Sequence, residues 1–376
     1  LPKYTNNIII SCGSNSWGGL EMITLETAIL LSKTNNVILV SSKDSRLKIE
    51  ALNNNLNIAD ILEKNLSSVS KLKTLIKDFK PDIIHTHLSH DLWTIVPALK
   101  IAKSEAKLFL TKHMGSGVSK KDLFHRYLYK RVNGVFAVSN YIRESVIETC
   151  PLNPEKVSVL HDGIIPDKFD KSLYNISEIK KNLNIPIDKL VIGIIGRIST
   201  GKGHKQFLEA AKIIKDKTSP GSLKEREPFF LVVGSSGKGE ENYEIEIIEM
   251  ARSLGLSNDT IFTGFRKNIP EMLAIIDILV FPSHLESFGI TLLEAMAMEV
   301  PVAASNNAGI LDIVIDGETG FLVPVKNSSI LADAIIKLIE NPELRKYFGT
   351  QGRKRVLQNF DMRVIVDKLV ENYKKL

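Results

Sequence analysis

Short apolar runs of strand length alternate with amphipathic stretches of helical length along the whole chain, and that rhythm leaves few folds open. Ile8–Cys12, Val37–Ser41, Asp82–Thr86, Lys107–Leu110, Gly134–Val138 and Val157–Leu160 read as strands, with helical patterns at 20–33, 68–79, 89–103, 119–132 and 140–149. The theme repeats at Leu190–Ile195, Phe229–Val233, Thr260–Phe262, Ile278–Phe281, Pro301–Ala303 and Gly320–Val323, with helices expected at 204–215, 241–254, 268–276, 289–298, 329–340 and 342–359. Parallel neighbours need a crossover connection, so this alternation implies parallel sheets covered by helices on both faces. At 376 residues the chain exceeds one ordinary core. The expected fold class is α/β, with two doubly wound domains facing across a central cleft. The most linker-like stretch is 162–189, where Gly163, Pro166 and Pro186 interrupt a polar segment. Domains are expected at 1–165 and 166–358, with a terminal helix over 359–376 crossing back to the first.

Hydrophobic residues make up 44% and charged residues 24%, which excludes a largely disordered chain. No apolar run approaches the ~18 residues of a membrane-spanning helix, and Asn7–Cys12 is too short for a signal-peptide core. Two cysteines, Cys12 and Cys150, on different elements suggest neither a disulfide framework nor a zinc site, which fits a cytoplasmic setting.

The net charge of +6 is uneven: residues 100–131 hold nine basic side chains against two acidic ones. The segment 119–131 starts like a capping box, Ser119 with Asp122. It sets an apolar face (Leu123, Phe124, Tyr127, Leu128) against a basic one (Lys120, Lys121, Lys130, Arg131). Such a helix suits an anionic membrane surface, on the inner face of the plasma membrane; packing of the apolar face on its own sheet is the alternative. Nucleic acid is not expected, because no binding motif accompanies the charge.

The chemistry concentrates where Glu286 and Glu294 bracket a loop entering a helix. Gly289 falls where that helix begins, and free N–H groups there attract an anion, most simply a phosphate. Were the run helical throughout, the carboxylates would stand about 12 Å apart along the axis, beyond the ~5–9.5 Å of a glycoside hydrolase pair. They are therefore expected to serve different parts of one ligand: Glu294 the ribose hydroxyls, Glu286 the transferred sugar. Gly18-Gly19 follows the first strand and lets backbone approach a phosphate, though an ordinary tight turn explains it as well. The segment Gly196–Gly203 nearly matches a P-loop, but Gly203 stands where a Ser or Thr would hold magnesium, so an NTPase is rejected. Arg197 and Lys202 instead offer two cations to a diphosphate. His85, His87 and His90 lack the carboxylates of a catalytic metal centre, and no metal or other cofactor is expected. His113, among glycines after a strand, is placed to hydrogen-bond a sugar hydroxyl, with a structural role as the alternative.

Together these residues resemble the retaining glycosyltransferases of family four, which have two Rossmann-like domains in the GT-B fold. The matching pieces are Gly18-Gly19 with Glu21, Asp82–His87, Thr111 with His113, Gly196-Arg197 with Lys202-Gly203, Gly264-Phe265-Arg266, Pro282-Ser283 and the Glu-x7-Glu block at 286 and 294. The resemblance implies transfer of a sugar from a nucleotide donor, expected to be a UDP-sugar, to a hydroxyl of a glycan or lipid-linked acceptor in cell-surface polysaccharide or lipopolysaccharide biosynthesis. The anomeric configuration would be retained, without an obligatory metal. It gives Gly18, Gly19, Arg197 and Lys202 to the diphosphate and Glu294 to the ribose. Phe265 and Arg266 fall to the base. Glu286, Phe288, Gly289, Ile290 and Thr291 surround the donor sugar and phosphates, with His113 reaching the sugar from the other domain. Catalytic roles fall on Glu286, His113, Arg197 and Lys202. Two departures stand out: Asp162-Gly-Ile-Ile165 replaces the usual Asn-Gly-Val-Asp, and Glu299 replaces a glycine before Pro301. A GT-B nucleotide-sugar 2-epimerase and a non-catalytic nucleotide-sugar-binding module are the alternatives.

Overall fold

A computed structural model describes residues 5–63, 65–217 and 227–375. The chain divides into two compact units, 1–163 with 362–376, and 164–361.

In the first unit the elements alternate as β1 (Asn7–Cys12), α1 (Gly19–Ser32), β2 (Asn36–Ser41), α2 (Arg46–Asn53), β3 (Asn57–Asp60), α3 (Leu66–Phe79), β4 (Ile83–Thr86), α4 (Leu92–Ala102), β5 (Lys107–Lys112), α5 (Leu123–Lys130), β6 (Gly134–Ala137), α6 (Asn140–Thr149) and β7 (Val157–Val159). The seven strands lie parallel in the order β3-β2-β1-β4-β5-β6-β7. The order reverses between β1 and β4, and beyond the carboxyl ends of strands at such a point open sheets bind ligands. Ile8, Ile9 and Ile10 are all buried, as expected of a strand covered on both faces.

The second unit begins with α7 (Ile176–Asn182) and continues β8 (Leu190–Ile195), α8 (His204–Lys217), β9 (Pro228–Val233), α9 (Glu241–Ser253), β10 (Thr260–Phe262), α10 (Ile269–Ala274), β11 (Ile278–Phe281), α11 (Ile290–Ala297), β12 (Val302–Ser305), α12 (Ile310–Ile313), β13 (Gly320–Val323), α13 (Ser328–Glu340) and α14 (Pro342–Asn359). Its six parallel strands run β10-β9-β8-β11-β12-β13, so here the switch point lies between β8 and β11. The core packs Ile192, Ile194, Phe207, Phe230, Val280 and Leu338 between sheet and helices. The chain then leaves this unit, and α15 (Met362–Lys375) packs against α1 of the first.

Three expectations need correction. The stretch 162–189 is not a loose linker: nearly all of it folds with the second unit. Its α7 packs against α10, and the buried Lys180 donates from Nζ to the carbonyls of Ile187 and Lys189. A lysine satisfied by carbonyls reads as a solvated charge in the sequence. Ser119 does not cap the helix after it: Asp122 does, accepting from the N–H groups of Phe124 and His125, so α5 starts at Leu123. Arg131 is not part of a free basic face, because its guanidinium donates to Ala106 O at 2.6 Å and to Asn133 Oδ1 at 3.2 Å. Glu299 sits at φ +57°, the left-handed conformation glycine adopts without strain, so that departure costs about 1–2 kcal/mol.

Candidate active site

The second unit gathers its charged candidates beyond the carboxyl ends of β8 and β11, the two strands at its switch point. Gly203 decides how closely they come. It sits at φ +77°, and a Cβ there would fall 2.1 Å from Pro282 O, so only glycine lets the β8–α8 loop lie on the end of β11. The amide of His284 then donates to Gly201 O at 2.8 Å. With the loops so joined, Lys202 Nζ meets Glu286 Oε2 at 2.5 Å. Both side chains are half-buried, where a charge pair is screened less than at an open surface. Arg197 is exposed beside Gly237.

The run between the two glutamates is not helical throughout. Gly289 is the N-cap of α11 at φ +112°, so Glu286 stays in the loop and Glu294 lies in the second turn. Its neighbours Ile290 and Thr291 form the first turn, half-buried. Burial raises the Glu294 carboxyl to about 7, against an opposing pull from the Lys168 ammonium. Phe288 turns inward, its ring 6.0 Å from that of Phe360, so its side chain is core. Phe265 follows β10 and is 66% exposed, with Arg266 half-buried next to it.

Supports absent from the sequence reading surround the Glu286 loop. The amide of Gly309 donates to Glu286 O at 2.9 Å, Asn307 Nδ2 donates to His284 O, and His284 Nε2 pairs with Gln206 Oε1 at 2.8 Å. These partners sit 23–78 residues away in sequence, and only the β8-β11-β12 strand order brings them in.

In the first unit, Gly18 and Gly19 lie where β1 leads into α1. The Gly18 N–H already donates to Glu21 Oε2 at 2.8 Å, so the carboxylate stabilises the positive end of the helix. His113 follows β5 with both ring nitrogens engaged, Nδ1 by Asp162 Oδ2 at 3.1 Å and Nε2 by His87 Nδ1 at 3.0 Å. His85 is held by Thr111 and Tyr373, while His90 lies in a separate 3-10 turn over 89–91. Among the described residues no three His, Cys, Asp or Glu side chains are arranged so that they could hold a metal ion. Among those residues no helix is long and apolar enough to cross a membrane.

Comparison with known proteins bears on this arrangement. Residues 17–168 match the profile of Glycosyltransferase Family 4, and residues 175–355 that of Glycosyl transferases group 1. The capsular polysaccharide biosynthesis glycosyltransferase CapM of Staphylococcus aureus is 28% identical over 370 residues, 92% of this chain and 91% of that protein. The UDP-Gal:alpha-D-GlcNAc-diphosphoundecaprenol alpha-1,3-galactosyltransferase of Escherichia coli is 26% identical, over 83% of this chain and 80% of its own. Among solved structures, Anabaena HepE in complex with UDP and glucose superposes with a TM-score of 0.85 at 22% identity, over 99% of this chain and 100% of that one, and shows the GT-B fold.

Proposed function

This chain belongs to the group 1, family 4 glycosyltransferases, a retaining hexosyltransferase family of the GT-B fold, and from that premise we propose that it moves a sugar from a UDP-sugar to a hydroxyl of a glycan or lipid-linked acceptor in cell-surface polysaccharide biosynthesis. The observation that carries the reading is the Lys202–Glu286 pair at the β8/β11 switch point, with Arg197 on the same β8–α8 loop and Glu294 in the helix behind it. The Lys202 ammonium is held by Glu286. A diphosphate carries more charge than one carboxylate and takes Lys202, with Arg197 as the second cation. That exchange frees Glu286 to face the sugar. As the bond from C1 to the diphosphate oxygen breaks, charge builds on that oxygen, and the two cations stabilise it where it forms. The acceptor oxygen bonds to C1 on the same face, its proton passes to the departing phosphate oxygen, and the configuration is retained. Glu294 accepts from the ribose hydroxyls, the backbone at Gly289, Ile290 and Thr291 lines the phosphates, and Phe265 with Arg266 meets the base. Gly18 and Gly19 are assigned to the diphosphate and His113 to the donor sugar.

The names of two relatives support the substrate class, one a capsular polysaccharide enzyme and the other acting on a diphosphoundecaprenol-linked sugar; UDP is bound in the HepE complex. A thermal-shift panel of UDP, GDP, ADP and their sugars tests the donor. UDP and UDP-sugars are expected to raise Tm most, since stabilisation grows with occupancy. A larger shift with the guanosine or adenosine set replaces the uridine assignment, and no shift with any of them removes the reading.

The membrane surface completes the proposal. On α5, Leu123 is 85% and Phe124 40% exposed, and Trp93 packs on Phe124 with ring centroids 3.9 Å apart. Lys120, Lys121 and Lys130 flank this apolar patch, and each is worth about 1 kcal/mol near an anionic surface. Reversing those three charges is expected to lower co-sedimentation with anionic vesicles at least tenfold; unaltered sedimentation discards the membrane role.

A further inference from the structure

A row of imidazoles crosses one face of the first unit's sheet. β4 and β5 pair with His85 opposite Phe109, so positions 85, 87, 111 and 113 project to the same face. His85 and His87 stack with ring centroids 4.7 Å apart, and His87 and His113 lie 5.3 Å apart at 20°. His85 is closed off by Thr111 Oγ1 at 2.7 Å and Tyr373 Oη at 2.5 Å. At the other end stands Asp162, its Oδ2 3.1 Å from His113 Nδ1. Also around the row are His161 beside Asp162, Phe136 from β6, Ile23 with Thr27 from α1, and the apolar side chains of Leu160 and of α15.

The hydrogens can be assigned by elimination. An ionised carboxylate only accepts, so His113 Nδ1 carries hydrogen. Neutral His113 then accepts at Nε2 from His87 Nδ1–H, 3.0 Å away. His87 is buried, and its Nε2 has no partner among the described residues. No other group therefore competes to set the His87 tautomer; Asp162 sets it through His113. Burial holds His85 down to about 3 and His87 well below the usual imidazole range, so both stay neutral near pH 7.

We propose that Asp162 and His87 are positioning residues for His113, Asp162 fixing the hydrogen on Nδ1 and His87 fixing the ring through Nε2 until a sugar hydroxyl takes its place. The role in turnover rests on the glycosyl-transfer reading, whereas the tautomer of His113 does not. The test is 15N NMR of the imidazoles in the free 376-residue protein, with His113→Gln to assign the resonance. Wild type is expected to show hydrogen on Nδ1. Asp162→Asn keeps the shape but can donate as well as accept, so the hydrogen on His113 Nδ1 is no longer enforced and the Nε2–H tautomer gains population. kcat/KM falls at least fivefold, and the UDP Kd stays unchanged. If the variant folds poorly, His87→Gln serves instead: kcat/KM falls at least fivefold with UDP Kd unchanged. An identical His113 tautomer in wild type and Asp162→Asn overturns the pairing. A tautomer that changes while kcat/KM does not, or wild-type kcat/KM in His87→Gln, overturns the role in turnover. Wild-type protein that transfers no sugar counts against the glycosyl-transfer reading, and the spectra still decide the pairing.

Discussion

Replacing Glu286 by alanine is expected to lower kcat for sugar transfer by on the order of 10²–10³-fold while UDP binds as tightly as to wild type, or a few fold more tightly. The two halves of that result have one cause. Glu286 stands 2.5 Å from Lys202, so it competes with a diphosphate for the same ammonium. Removing it releases Lys202 for the phosphates and deprives the sugar of its carboxylate. A residue that only stabilised the loop would lower donor affinity along with turnover. The side chain is half-buried and the loop keeps its backbone tie from Gly309 to Glu286 O, so folding should survive. Wild-type turnover in Glu286→Ala would take the residue out of the mechanism.

Glu294 gives the second large effect, and it depends on pH. Its carboxyl is raised to about 7 by burial, so near neutrality the ionised form that accepts from ribose hydroxyls is only part of the population. UDP-glucose, whose doubly esterified diphosphate does not titrate here, is expected to bind about tenfold more weakly at pH 6 than at pH 8. Glu294→Gln should weaken binding and flatten this dependence, and Glu294→Ala should weaken it further. Calorimetry showing unchanged affinity in Glu294→Ala, or the same pH slope in Glu294→Gln, refutes the ribose role. The sign for stability is opposite. The folded group holds its proton up to about 7 while the unfolded one releases it near 4.5, so stability falls as pH rises through that window.

Much of this was legible in the sequence, for identifiable reasons. Strands buried on both faces read as unbroken apolar runs, and Leu190–Ile195 was bounded to the residue. Gly289 marked the start of α11 because a positive φ at the N-cap suits glycine. The strand β3, Asn57–Asp60, was missed because an edge strand of Asn-Ile-Ala-Asp has no apolar run to announce it. The short helices α2 and α7 are too polar to show a helical stripe. What stayed hidden at the site was its support. Asp162 read only as a departure from the family pattern, and its pairing with His113 across 49 residues exists only once β5, β6 and β7 lie side by side. The Lys202–Glu286 contact spans 84 residues and needs Gly203 against Pro282. Motifs name the reacting groups, and register decides which of them touch.

The central claim is that a nucleotide diphosphate is gripped by the β8–α8 loop, and one calorimetric titration tests it most directly: UDP into wild type and into Arg197→Ala/Lys202→Met. Each charged hydrogen bond contributes about 1.5–3 kcal/mol, so the double variant should bind UDP at least a hundredfold more weakly. A UDP Kd that does not change would contradict the account.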